Sequence, residues 1–242
     1  MTMPAEPSDR SYTFHPIRLP NVSVFLIHTG EAAMLVDSGN RGSESRILKE
    51  MKDLGLEQGM LRLLVLTHAH FDHAGAAARL REVTGCRIMV HRSEEDRLRD
   101  GFSGLPPGTR WKAKLLVGLG RTFARRLGKF PPAVPDLLVD GETDLADYGF
   151  PGKVIHAPGH TPGSVVVLME GGELVAGDTL FGVEGKQHFP PFAEDLPSLV
   201  ESWKAIREWK VKRAYPAHGR DFPWESFLSE FDGAMERYER KS

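Results

Sequence analysis

The sequence predicts an α/β layered domain, and three observations carry that prediction. Apolar segments of strand length alternate with stretches of helical periodicity. Histidines and aspartates recur directly after the apolar segments, and in α/β sheets ligand sites gather beyond the carboxyl ends of strands. The 242 residues suit one domain spanning 1–242 with an insertion at about 101–135.

The first half opens with strands. Val22 to His28 and Ala32 to Asp37 are short and apolar, separated by Thr29-Gly30, a hairpin-like signal. Ser43 to Leu54 reads as a helix, with Ile47, Leu48, Met51 and Leu54 at helical spacing and Gly55 as its stop. Leu61 to Leu66 is a strand of the buried type and runs into THAHFDH. An Ala-rich helix from Ala74 to Val83 follows, with Asp72 as its expected N-cap, and then a strand at Cys86 to Val90.

The second half repeats this organisation. Lys153 to His156, Val165 to Met169 and Leu174 to Ala176 are strands broken by Gly and Pro. A helix over Leu196 to Trp209, a strand at Arg213 to Tyr215 and a helix from Trp224 to Tyr238 complete the chain. LVDSG and LVAGD are weakly alike, a hint of internal duplication.

Between the halves, Gly101 to Pro135 contains no acidic residue, while Arg110, Lys112, Lys114, Arg121, Arg125, Arg126 and Lys129 are basic. Trp111, Leu115, Leu119, Phe123 and Leu127 recur every fourth residue, the stripe of an amphipathic helix, although Gly118 and Gly120 weaken it. Three readings stay open: a helix covering the core, a lid that would favour anionic substrates, or a surface for a homodimer or a membrane interface.

Composition narrows the function classes. A formal net charge of −2 gives no reason to expect a nucleic-acid partner. Cys86 is the sole cysteine, so no internal disulfide forms and a reducing, cytoplasmic setting is expected. The N-terminal MTMPAEPSDR lacks the apolar core of a secretory signal, and no apolar run approaches the roughly 18 residues that cross a bilayer, so stable membrane insertion is not expected.

The chemistry concentrates in THAHFDH. Residues two apart on an extended chain point the same way, so His68 and His70 can converge on one ion. Asp72 and His73 add two donors, and His160, Asp178 and His218 each follow a short strand through a Gly- or Pro-containing turn. Asp37 ends its strand in the same way. Packing alone does not crowd three imidazoles and a carboxylate into six residues. Seven N/O donors exceed one closed four-coordinate structural site; shared between two ions, they leave positions open for water and substrate. Neutral imidazoles and carboxylates suit zinc, iron or manganese.

THAHFDHAG, GHTPGS, GDTLF and the late AHG resemble, in sequence and order, the metallo-β-lactamase superfamily, over residues 37 to 218. The resemblance implies a four-layer αββα sandwich with the basic stretch as a helical insertion, and two divalent ions at one edge of the sheets, zinc first among the candidates. By the family pattern, His68, His70 and His160 would hold one ion. Asp72, His73 and His218 would hold the other, Asp178 would bridge, and Asp37 would orient the cluster from behind. The implied reaction is attack of a metal-bridging hydroxide, held against Asp178, on an ester, thioester or lactone carbonyl of a small molecule, with Asp72 passing a proton to the leaving group.

Departures from subfamilies sharpen this. Asp178 stands where the best-known zinc β-lactamases have a ligand cysteine, and His70 where flavodiiron proteins have Glu. Phe181 replaces the Tyr of acyl-homoserine lactonases. GDTLF and GHTPGS look most like glyoxalase II, yet GVEGKQ stands where that enzyme has Cys-Gly-Arg, and the 24 residues after His218 are too few for its helical substrate domain. A mononuclear iron enzyme resembling persulfide dioxygenases, and a non-catalytic metal-binding protein, are the alternatives. His188 is expected to be a loop histidine, Cys86 a packing thiol, and Trp203, Ile206 and Trp209 a helix face on the sheet.

Overall fold

The computed structural model describes residues 12–104, 107, 128–182 and 188–240. Two six-stranded mixed sheets stack face to face, each covered outside by helices. The first sheet runs in chain order: β1 (Thr13–Arg18), β2 (Ser23–His28), β3 (Ala33–Val36), β4 (Leu61–Val65), β5 (Arg87–His91) and β6 (Leu137–Val139). The second comprises β7 (Thr143–Asp144), β8 (Gly152–His156), β9 (Val165–Met169), β10 (Glu173–Gly177), β11 (Arg213–Pro216) and β12 (Phe222–Pro223), again with sequential neighbours.

Strand periodicity accounts for the layers. Along β2, Val24 and Leu26 face the outer helices while Phe25 and Ile27 face the other sheet. In the second sheet, Val166 faces outward while Val165 and Val167 face inward. Because both faces are covered, the strands read as continuous apolar runs rather than alternating ones. The inter-sheet core holds Phe25, Met34, Val65 and Met89 against Phe150, Val154, Val167 and Val175, each contributing about 1.5–3 kcal/mol on burial.

The outer helices follow their apolar stripes. On the first sheet, α1 (Glu44–Asp53) buries Ile47 and Met51, and ends before Gly55 at φ +77°. The predicted Ala-rich helix is two pieces, α2 (Phe71–Ala74) and α3 (Ala77–Thr84). The expectation that Asp72 is the N-cap is corrected: His70, extended at φ −85° and ψ 157°, precedes the first turn, and Asp72 lies inside it. The turn starts earlier because the His70 carbonyl already accepts the His73 and Ala74 amides, at 3.0 and 2.8 Å. A short helix, α4 (Glu95–Asp100), follows β5. On the second sheet, α5 (Leu196–Arg207) buries Trp203 and Ile206, and α6 (Trp224–Glu239) buries Phe227 and Phe231.

The amphipathic stripe at 111–127 lies outside the described residues. The two ends of its segment meet: Phe102 and Lys129 form an isolated antiparallel bridge, and the Gly128 carbonyl accepts the Ser103 amide. No helix among the described residues is long and apolar enough to cross a membrane.

Candidate metal centre

All seven sequence-predicted donors converge at one edge of the two sheets. His68, His70, Asp72 and His73 come from the turn after β4, His160 from the β8–β9 loop, Asp178 from the end of β10, and His218 from the turn after β11. Three overlapping donor groups result, with His68, His73 and Asp178 joining two outer clusters. His70 Nδ1 lies 3.0 Å from His68 Nε2 and 3.1 Å from His160 Nε2. Those separations approach the ~3.3 Å edge of a tetrahedron with metal–nitrogen bonds of about 2.0–2.1 Å. Asp72, His73 and His218 form the second cluster, with His218 Nε2 3.4 Å from Asp72. Asp178 stands between the two: one oxygen is 3.2 Å from His73 Nε2 and 3.4 Å from His218 Nε2, the other 3.5 Å from His160 Nε2.

The imidazoles are aimed from behind. Asp37 accepts from His73 Nδ1 at 2.8 Å, the Phe192 carbonyl from His160 Nδ1 at 3.0 Å, and the Asn21 carbonyl from His218 Nδ1 at 2.8 Å. Each bond fixes a ring and leaves its Nε2 directed into the cluster. Asp37 itself is locked by Thr67, whose amide and hydroxyl both donate to it. It is also the sole non-glycine residue at positive φ among the described residues, at +61°, a conformation Asp tolerates better than most and one common at functional sites. Ser38 completes the support by donating its hydroxyl to the His73 carbonyl and accepting the Ala76 amide.

Burial and charge set the protonation of the cluster. Burial, then the neighbouring His73, hold His68 well below the usual histidine value; burial and His160 do the same for His70. Burial opposes the charge on His73, but Asp37, Asp178 and Asp72 outweigh it and raise this histidine well above its usual value. Against the same burial, Asp178 and then Asp72 push His218 up to about 9. Burial would raise Asp178, yet His218, His73 and His160 hold it far below the carboxylate range. Asp72, also opposed by burial, is lowered by His73 and His218.

The residues fit metal binding. His73 Nε2 and Asp178 Oδ1 are buried without a hydrogen bond, as is His70 Nε2. A buried polar atom left so costs about 1–3 kcal/mol. Two of these three atoms point into the cluster, where a cation would satisfy them. The donor set, all imidazole and carboxylate with no thiolate, suits zinc, iron or manganese.

Other singled-out residues lie apart from the cluster. His188 is buried, but Nδ1 donates to the Phe181 carbonyl and Nε2 pairs with Ser226 Oγ, with the ring stacked on Phe222. It braces the segment after Asp178 against α6. Phe181 stacks on His218, with ring centroids 5.2 Å apart. Trp203 donates its indole N–H to the Thr179 carbonyl, tying the Asp178 turn to α5. Cys86 is buried, and burial raises its thiol. Sequence reasoning did not assign Thr67 or Ser38; their adjacency to His68 and Asp37 was the available signal. It had no signal for the Asn21 and Phe192 carbonyls, which are backbone groups.

Residues 17–218 match the family model of the metallo-beta-lactamase superfamily. The chain belongs to that superfamily, a fold of metal-dependent hydrolases. Among curated relatives, a probable metallo-hydrolase of Methanocaldococcus jannaschii is 28% identical over 196 residues, covering 78% of this chain and 84% of the relative. The hydroxyacylglutathione hydrolase GloC of Haemophilus influenzae is 30% identical over 175 residues, covering 70% and 71%. Among solved structures, TTHA1623 in a di-iron-bound form superposes with a TM-score of 0.65 at 27% identity, covering 90% of this chain and 98% of that one.

Proposed function

We propose that this chain hydrolyses an ester, thioester or lactone bond of a small molecule, with two divalent ions held by the seven donors. The observation that carries the reading is Asp178, whose two oxygens face different histidine clusters while one oxygen is buried without a hydrogen bond. His68, His70 and His160 would hold one ion, and Asp72, His73 and His218 the other. When bound, two such ions would supply hydroxide near neutral pH and polarise the carbonyl under attack. Asp178, the carboxylate between the two clusters, orients the attacking oxygen and accepts its hydrogen bond. Asp72 is the more open carboxylate, its side chain 18% exposed against 8% for Asp178, so it has the access needed to take the proton that the attacking hydroxide gives up and pass it to the leaving group. The Haemophilus relative is named for hydrolysis of hydroxyacylglutathione, an acyl-thiol compound, which supports a thioester within this class.

An anionic substrate is part of the proposal. The stretch 101–135 carries only basic charges, and Pro107 within it accepts the amide of Ala193, next to the Phe192 carbonyl behind His160. This adjacency puts Pro107 beside the segment that backs His160.

The test is elemental analysis of the purified chain combined with turnover of a panel of thioesters, lactones and esters. About two zinc, iron or manganese ions per chain, with oxygen-independent hydrolysis, are expected. One iron per chain and oxygen consumption on a persulfide would overturn the reading in favour of a dioxygenase, and with it the bridging role of Asp178.

A further inference from the structure

Glu94 is fully buried, at the end of a short 3-10 turn that follows β5. A carboxylate removed from water costs several kcal/mol unless its oxygens are well paired. Here they are paired in an informative way. Oε2 accepts the amide of Ala69 at 3.1 Å, and Oε1 accepts the amide of Gly163 at 3.0 Å. Ala69 lies between His68 and His70; Gly163 lies three residues past His160, in a loop of the other sheet. One side chain thus holds both loops whose imidazoles make up the three-histidine cluster.

Two further features mark the contact as built. A Cβ on Gly163 would fall 2.6 Å from Glu94 Cγ, so the loop reaches the carboxylate only because residue 163 has no side chain. Arg97, one turn along α4, has Nη1 3.8 Å from Glu94 and pairs with both oxygens of Glu194 at 2.7 and 2.8 Å. The Glu194 amide in turn donates to the His160 carbonyl at 3.1 Å. The same acid–base chain therefore grips the His160 loop at two points.

We propose that Glu94 is a positioning residue for the metal centre: by accepting the Ala69 and Gly163 amides together, it sets the spacing between His160 and the His68–His70 pair. The inference rests on the reading that these three histidines hold an ion. The carboxylate form is required, because two N–H donors need two acceptor oxygens. A glutamine has one and would turn its NH2 toward the remaining N–H. Aspartate keeps both acceptors but is one methylene shorter.

The test is cobalt titration of the metal-free parent, Glu94→Gln and Glu94→Asp, followed by visible absorption and chelator competition, with melting temperatures recorded alongside. Glu94→Gln is expected to bind cobalt about 10–100-fold more weakly at the three-histidine site and to shift its ligand-field bands. Glu94→Asp is expected to fall between Glu94→Gln and the parent. A purely structural role would lower the melting temperature and leave affinity and bands at parental values; that result overturns the proposal. A parent that takes up no cobalt overturns the metal reading and this inference with it. If Glu94→Gln does not fold, Arg97→Gln, altered at the half-exposed end, takes its place. It should weaken cobalt binding several-fold, and unchanged affinity overturns the proposal.

Discussion

The segments β1–β4 and β8–β11 have the same wiring and opposite chemical duties. In each, two antiparallel pairings are followed by a parallel one across a helical crossover, α1 in the first and α5 in the second. In each, an aspartate follows the third strand, Asp37 after β3 and Asp178 after β10. Asp37 is fully buried and spends its oxygens on Thr67 and His73. Asp178 looks into the cluster and keeps one oxygen unsatisfied. The left-handed backbone position also differs: in the first segment it is the aspartate itself, φ +61°, whereas in the second it is Gly177, φ +49°, one residue earlier. The same turn thus delivers a carboxylate turned behind the cluster or one turned into it, according to which residue carries the positive φ.

Three substitutions break this comparison, from the largest effect to the smallest. Asp178→Ala should lose bound metal and hydrolysis together, the latter by about 10³-fold or more, because no other carboxylate among the described residues faces both clusters; metal content and turnover on the same preparation check this. Asp37→Asn keeps a residue tolerant of positive φ but removes the charge behind His73. Chelator competition should then show metal affinity reduced about 10–100-fold, with some activity regained at high metal concentration. Gly177→Ala adds a methyl 2.7 Å from Thr67 Oγ1, at a φ that side chains resist. It should destabilise the metal-free chain by about 1–3 kcal/mol in denaturant unfolding, with a smaller effect on metal stoichiometry.

Much of this was legible in the sequence because the informative groups are side chains next to strong period-two signals. The strands at Ser23–His28, Val165–Met169 and Glu173–Gly177 fall within a residue or two of where apolar runs place them. So do the seven donors, since each follows such a run. What was missed has physical reasons. Thr13–Arg18 carries Pro16, several exposed residues and few apolar ones, as an edge strand can, and gives no buried-strand pattern. The Asp72 cap failed because an extended His70 starts the turn without a side-chain cap, against the usual preference. Glu94 was invisible because its two partners are backbone amides 25 and 69 residues away, which leave no mark on local composition.

The carbonyl of Asn21, behind His218, has a consequence for the birth of the site. That bond joins positions 197 apart, and the approach of His70 to His160 spans 90. Closing such loops is entropically costly and slow relative to local turns, so these contacts form after the sheets have docked. During synthesis, the HxHxDH turn emerges long before its partners. A nascent chain therefore presents two or three loosely held histidines, and the complete donor set has to wait until His218 has left the ribosome and met the β1–β2 turn. Assembly of the full donor set is a late event, coupled to completion of the fold and not to the appearance of its most recognisable motif.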